Sequence, residues 1–125
     1  MGLDAELRFA KVTDVGIDDN GLVEVGTNDV ICSSGNYYLF NFEPRIYYWR
    51  ENRELHRAIY ELYCRTIPEN IIPPSKFTNR FHLTEEDIQE LMSIPNLIDP
   101  DDVIYFEDAL ELARRGFVVY YISDF

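Results

Sequence analysis

The chain has 125 residues, of which 46% are hydrophobic and 27% charged, and its net charge is −12. This length and composition suit one globular domain with a core large enough to fold without disulfides or metals, so we expect residues 1–125 to form a single domain. The excess of acid disfavours direct binding to nucleic acid or to anionic membranes, because most of the surface repels them.

Strand-like patterns lie at both ends of the chain. Alternation of apolar and polar residues predicts a strand over residues 5–12, and turn residues at 18–21 followed by 22–25 suggest a hairpin. A further strand is expected over 36–42, although its aromatic run also fits the start of a helix. The last nine residues, 117–125, are rich in Val, Tyr and Ile and are typical of a strand, which we expect to lie beside the first.

The longest helix is predicted over residues 45–65, directly after Pro44, with Trp49 and His56 on its apolar side. Residues 68–79 lack periodicity and are expected to form a loop.

Two shorter helices follow. Thr84 precedes three acidic residues, which predicts a capped helix that ends before Pro95. Another helix is predicted over 103–115, with Gly116 where a C-terminal capping glycine belongs. Together these elements predict an α+β fold in which a small antiparallel sheet, made of the N-terminal strands and the C-terminal strand, packs against about three helices.

Short stretches of the chain resemble a family of small bacteriophage and prophage proteins that typically open with MGLDMYL. The matching pieces are the opening residues 1–4, the Trp49-Arg50 pair with His56 and Arg57 further on, and the aromatic-acidic run 105–108. The chain departs from that pattern at residues 5 and 6, where Met-Tyr is usual, and at Arg53, where Asn is common. The resemblance implies a phage setting and a mixed α+β fold, and it assigns no catalytic residue.

An aromatic and histidine pocket is one candidate site, lined by Trp49, His56 and Tyr105. His56 fits either a functional imidazole or a hydrogen-bonded core residue. Cys64 lies eight residues beyond it, about 12 Å along a continuous helix, which excludes direct activation of that thiol by His56.

Metal and cofactor sites are not expected. Asp99, Asp101 and Asp102 suggest calcium, but Ile104 and Leu110 occupy the positions where an EF-hand loop needs Gly and Glu. The sequence also lacks the common dinucleotide, P-loop, serine-hydrolase and zincin motifs.

Charge is unevenly distributed: residues 1–44 carry −6, residues 45–80 carry +3 and residues 81–125 carry −9. In the basic segment, Arg50, Arg53 and Arg57 could contact phosphate, but nearby glutamates favour a salt-bridged surface helix.

The acidic C-terminal third is the main candidate site. We expect it to bind a basic surface on a host protein, and the residues expected to carry the contact are Glu85, Glu86, Glu90, Asp99, Asp101, Asp102, Glu107, Asp108 and Glu111. The function we expect is non-enzymatic inhibition or modulation of that host protein, with mimicry of nucleic-acid charge as one means and an anti-defence or transcription protein as the target. The alternatives are a small enzyme or ligand-binding domain that uses the aromatic and histidine pocket, and an acidic surface that serves solubility alone.

The location expected from the sequence is the cytoplasm of the host cell. The two cysteines, Cys32 and Cys64, are too far apart for a CxxC pair, and the first residues lack the positive charge of a secretion signal. No apolar run reaches the ~18 residues of a membrane span.

Overall fold

The computed structural model describes residues 2–10, 15–17, 29–32, 35–39, 45–66, 72–78 and 80–124. The strands are β1 (Asp4–Ala10), β2 (Val15–Ile17), β3 (Asp29–Cys32), β4 (Gly35–Leu39), β5 (Arg45–Arg50), β6 (Arg80–His82) and β7 (Val118–Asp124). The helices are α1 (Arg53–Thr66), α2 (Glu85–Ser93) and α3 (Val103–Arg114), with short 3₁₀ turns at Pro74–Lys76 and Pro100–Asp102.

The described strands form one sheet in the order β2-β4-β3-β6-β7-β1-β5. All neighbours are antiparallel except β3 and β6, which are parallel. The α+β fold class is therefore confirmed. The C-terminal strand also lies beside the first, as expected, since β7 pairs with β1 over seven residues from Asp4↔Asp124 to Ala10↔Val118.

The three helices pack on one face of the central strands. Residues paired across β5, β1 and β7 project to the same face, and Trp49, Ala5, Leu7 and Tyr121 belong to the hydrophobic core together with buried side chains of all three helices. Leu7 and Tyr121 are completely buried. We call this face the helix side of the sheet and the other the opposite face.

The prediction of one helix over residues 45–65 is wrong in its first part. Residues 45–50 are strand β5, paired with β1 so that Trp49 lies opposite Ala5, and α1 begins only at Arg53. Trp49 and His56 are both buried, but they lie on different elements. Asn52 starts the helix, because its side-chain oxygen accepts a hydrogen bond from the Leu55 N–H at 3.1 Å.

Glu51 forms the junction between β5 and α1 in a left-handed conformation, with φ of 62°. Its backbone N–H donates to the Leu3 carbonyl at 2.7 Å, and its carboxylate accepts from the Leu3 N–H at 2.8 Å and pairs with Arg53 at 3.1 Å. The start of β1 is thereby held against the start of α1. A Cβ added at Gly2 would lie 2.7 Å from the same carboxylate.

The two acidic helices begin and end as predicted. Thr84 and Asp87 form a reciprocal capping box at the start of α2. Gly116 follows α3 with φ of 90°, a conformation that glycine adopts without strain.

Some short elements do not correspond to predicted ones. Strand β6 was not predicted; it comes directly after the expected loop over 68–79, within which a 3₁₀ turn occurs at Pro74–Lys76. The predicted strand at 22–25 and its turn lie outside the described residues. None of the helices in the described ranges is long and apolar enough to cross a membrane.

Candidate functional site

Helices α2 and α3 bring the predicted acidic residues onto one side of the molecule. Both helices bury an apolar stripe, through Ile88 and Leu91 in α2 and Phe106 and Ala109 in α3, and they contact each other. We call the carboxylates that point away from this core the acidic helical surface: Glu85, Glu86, Glu90, Asp99, Asp101, Asp102, Glu107, Asp108 and Glu111. All of them are exposed except Asp102, which is half-buried.

Few of these carboxylates are neutralised. Glu85 pairs with Arg114 at 3.6 Å and Glu90 pairs with Arg65 at 2.5 Å. Within the described ranges, no basic side chain lies within 4 Å of the remaining acidic residues of this surface. Residues 84–116 contain ten acidic and two basic residues, so this part of the chain carries −8.

Two aspartates have local partners. Asp99 accepts a hydrogen bond from the Asp101 N–H at 3.0 Å and so caps the 3₁₀ turn before α3. Asp102 lies near the Tyr47 hydroxyl, and this contact is the main reason that the pKa of Tyr47 is raised. The contact between Asp102 and Tyr47 relates the beginning of α3 to strand β5.

An isoleucine lies within this acidic surface. Ile104 on α3 is 59% exposed, the largest exposure of any large apolar side chain in the described part of the chain. It lies three and four residues from Glu107 and Asp108, a spacing that brings side chains together on a helix surface. Sequence reasoning missed it, although its position off the apolar stripe of Phe106 and Ala109 was a readable signal.

The three residues of the predicted aromatic and histidine pocket do not form one site. Trp49 contacts Tyr47 and Phe106, with ring centroids 5.0 and 5.6 Å away. Tyr105 stacks on Tyr47 at 3.8 Å. His56 instead contacts the rings of Phe77 and Tyr121.

His56 is a hydrogen-bonded core residue. Its Nε2 lies 2.8 Å from the Pro74 carbonyl, which can only accept, so Nε2 carries the proton and Nδ1 accepts from the Tyr121 hydroxyl at 2.7 Å. Burial lowers the pKa of His56 and raises that of Tyr121. With both ring nitrogens bonded inside the protein, the imidazole has no nitrogen left to offer a substrate.

A groove lies over His56, between the first turn of α1 and the 3₁₀ turn at Pro74–Lys76. It has a volume of about 490 Å³, and neither Trp49 nor Tyr105 lines it. Its polar walls include Arg53 and Arg57.

The third member of the expected basic trio lies elsewhere. Arg50 is on β5 and pairs with Asp4 at 3.2 Å, so the prediction that it shares a helix with Arg53 and Arg57 is wrong.

The opposite face of the sheet carries charges that neutralise one another. Glu6 pairs with Arg8 and with Arg45, each at 2.5 Å. Asp4 accepts a hydrogen bond from the Tyr48 hydroxyl at 2.7 Å. Opposite charges are thus matched across neighbouring strands, unlike those of the acidic helical surface.

The described ranges contain no cluster of three or more His, Cys, Asp or Glu side chains able to hold a metal ion. Cys64 is half-buried, and it lies beside Tyr60, whose pKa it raises, rather than beside His56.

No protein-family model matches the chain, and comparisons with curated proteins and with solved structures gave no match.

Proposed function

We propose that this protein acts by binding a basic surface of another protein through its acidic helical surface, and that it inhibits or modulates that partner without catalysing a reaction. The observation that carries the proposal is the exposed Ile104 among carboxylates that lack basic partners in the described ranges. Protein interfaces commonly combine a desolvated apolar anchor with a surrounding polar rim. Solubility alone would not require a large apolar side chain at this position.

The partner we propose is a host protein with a basic surface, met in the cytoplasm of a bacterial cell. A row of carboxylates on a helix can compete with phosphates for such a surface, so mimicry of nucleic-acid charge would be the means of inhibition. Host defence nucleases and transcription proteins carry surfaces of this kind. Displacement of nucleic acid from the partner would support the mimicry, and simultaneous binding of both would contradict it.

The test compares two variants that change the net charge equally. The first variant, Glu107→Lys/Glu111→Lys, reverses two charges on α3. The second, Glu54→Lys/Glu61→Lys, reverses two exposed glutamates of α1, and neither of these glutamates has an ion pair in the described ranges. With a partner captured from host lysate and then purified, the α3 variant should associate at least tenfold more slowly at low salt, and the α1 variant should associate like the parent. Equal slowing by both variants would show a general charge effect and would contradict a site on α3.

Truncation of Ile104, the proposed anchor, tests the apolar part of the proposed interface. Ile104→Ala should weaken binding about tenfold, mainly through faster dissociation, and should leave the melting temperature unchanged because the side chain is exposed. Unchanged binding by this variant would remove the observation that carries the proposal.

A further inference from the structure

Strand β5 lies at the end of the described sheet and pairs only with β1 there. The register shows which backbone N–H and C=O groups of β5 point toward β1 and which point away from it. Glu51 donates to the Leu3 carbonyl, so Leu3 and Glu51 form a hydrogen-bonded pair, and the alternation of an antiparallel ladder makes Ala5/Trp49 and Leu7/Tyr47 hydrogen-bonded pairs as well.

The residues between these pairs direct their backbone groups the other way. The N–H and C=O groups of Tyr48 and Arg50 point away from β1, and within the described ranges no strand pairs with this edge. An edge with free donors and acceptors is a template for another strand, and proteins use such edges to bind extended peptides.

The surroundings of this edge are charged in a defined pattern. On the helix side, Tyr105 stacks on Tyr47, and the Asp102 carboxylate lies near the hydroxyl of the same tyrosine. Asp108 follows Tyr105 by three residues and therefore lies on the same flank of α3. On the opposite face, the exposed Arg50 borders the edge.

We propose that β5 accepts an extended segment of the partner as an added strand, in which basic residues alternate with uncharged polar ones. Every second side chain of such a strand points to the helix side, where it meets the carboxylates at the start of α3. The intervening side chains lie on the opposite face beside Arg50, which is already paired with Asp4, so uncharged polar residues fit there without competing for that ion pair. This inference rests on the proposed function, because it names the form of the basic partner that the acidic helical surface binds.

The experiment uses a nine-residue peptide of alternating Lys and Thr as the probe, with amide hydrogen exchange followed by NMR. In the complex, the amides of Tyr48 and Arg50 should exchange at least tenfold more slowly, because they become hydrogen-bonded. The amides of Tyr47 and Trp49 should change little, since they already bond to β1. A block peptide of the same composition, with all Lys residues before the Thr residues, should give much weaker protection.

A pair of variants tests the same backbone group by affinity. Tyr48→Pro removes the outward N–H and breaks no hydrogen bond to β1, while Tyr48→Phe retains that N–H; both lose the hydroxyl contact with Asp4. The proline variant should bind the peptide at least tenfold more weakly than the phenylalanine variant. The exchange measurement remains decisive if the proline variant does not fold.

The outcomes separate this inference from the proposed function. Peptide binding that is weakened by Glu107→Lys/Glu111→Lys, without protection of Tyr48 and Arg50, overturns the added strand and keeps the acidic surface as the site. Protection of both amides that persists at unchanged peptide affinity in Asp108→Lys supports the strand and contradicts the acidic contact beside it. Absence of binding by the alternating peptide overturns the inference, while the partner captured from lysate still tests the proposed function.

Discussion

The Tyr121 hydroxyl should be one of the most sensitive single groups in the fold. It donates to His56 Nδ1 at 2.7 Å and also interacts with Ser123, whose hydroxyl donates to the Phe77 carbonyl at 2.5 Å. His56 in turn donates to the Pro74 carbonyl. This chain of bonds joins α1 and β7 to the segment that carries the 3₁₀ turn at Pro74–Lys76. Tyr121→Phe removes only the central oxygen.

The expected cost follows from burial. Tyr121 is 0% and His56 3% exposed, so water cannot replace the lost hydroxyl without rearrangement of the core. Removing one partner of a buried hydrogen bond leaves the other unsatisfied, which costs about 1–3 kcal/mol, more than the 0.5–1.5 kcal/mol or so of a typical hydrogen bond. We therefore expect Tyr121→Phe to lower the free energy of unfolding by about 1–3 kcal/mol.

Urea unfolding followed by Trp49 fluorescence and circular dichroism measures this change. Tyr48→Phe is the matched control, since it removes a hydroxyl that bonds Asp4 at the surface of the sheet, and it should shift the midpoint far less. Combining Tyr121→Phe with His56→Phe should cost less than the sum of the single changes, because both polar partners are then absent. A Tyr121→Phe midpoint equal to that of Tyr48→Phe would refute the reasoning.

Further predictions concern stability. Burial lowers the pKa of both His56 and His82, so these histidines bind protons more tightly in the unfolded chain than in the folded one. The free energy of unfolding should therefore fall as the pH drops below about 6.5, by up to about 1.4 kcal/mol per pH unit for each histidine. Equal urea midpoints at pH 7.5 and 5.5 in high salt would contradict this. Trp49→Ala should lower the free energy of unfolding by about 3–5 kcal/mol. Trp49→Phe should lower it clearly less, because the indole N–H that is lost has no acceptor in the described ranges. Chemical denaturation of the two variants measures the difference. Gly116→Ala should cost about 1 kcal/mol through its positive φ, a loss visible in the melting temperature. Deletion of residues 117–125 should abolish cooperative melting, since β7 pairs with both β1 and β6.

Local signals predicted those elements whose ends are set by nearby residues. Thr84 and Asp87 define the start of α2 by bonds across three positions, and Gly116 ends α3 by its own conformation. The exposure of the acidic residues follows from the same helices, because their apolar stripes leave the charged positions outside. The C-terminal strand was recognisable from its β-branched and aromatic residues.

Tertiary pairing decided the elements that the sequence missed. Residues 45–50 fit a helical stripe, but pairing with β1 holds them extended, and the left-handed Glu51 interrupts the chain before Asn52 begins the helix. Strand β6 has only three residues, and its extended conformation is stabilised by pairing with β3 on one side and β7 on the other. The supposed pocket failed for the same reason: Trp49 and His56 have the spacing of one helix face, yet a strand-to-helix junction separates them.

The junction at Glu51 links the identity of residue 2 to that of residue 51. The Glu51 carboxylate occupies the space of a side chain at Gly2, and it does so while it accepts from the Leu3 N–H. A side chain at position 2 would require this carboxylate to move from the place where it accepts that bond. Substitutions at positions 2 and 51 should therefore be coupled: in a saturation library, side chains at position 2 that are selected against beside Glu51 should become acceptable beside alanine. The short opening motif would then be maintained by a contact 49 residues away, and chains that share it by descent should vary at these two positions together.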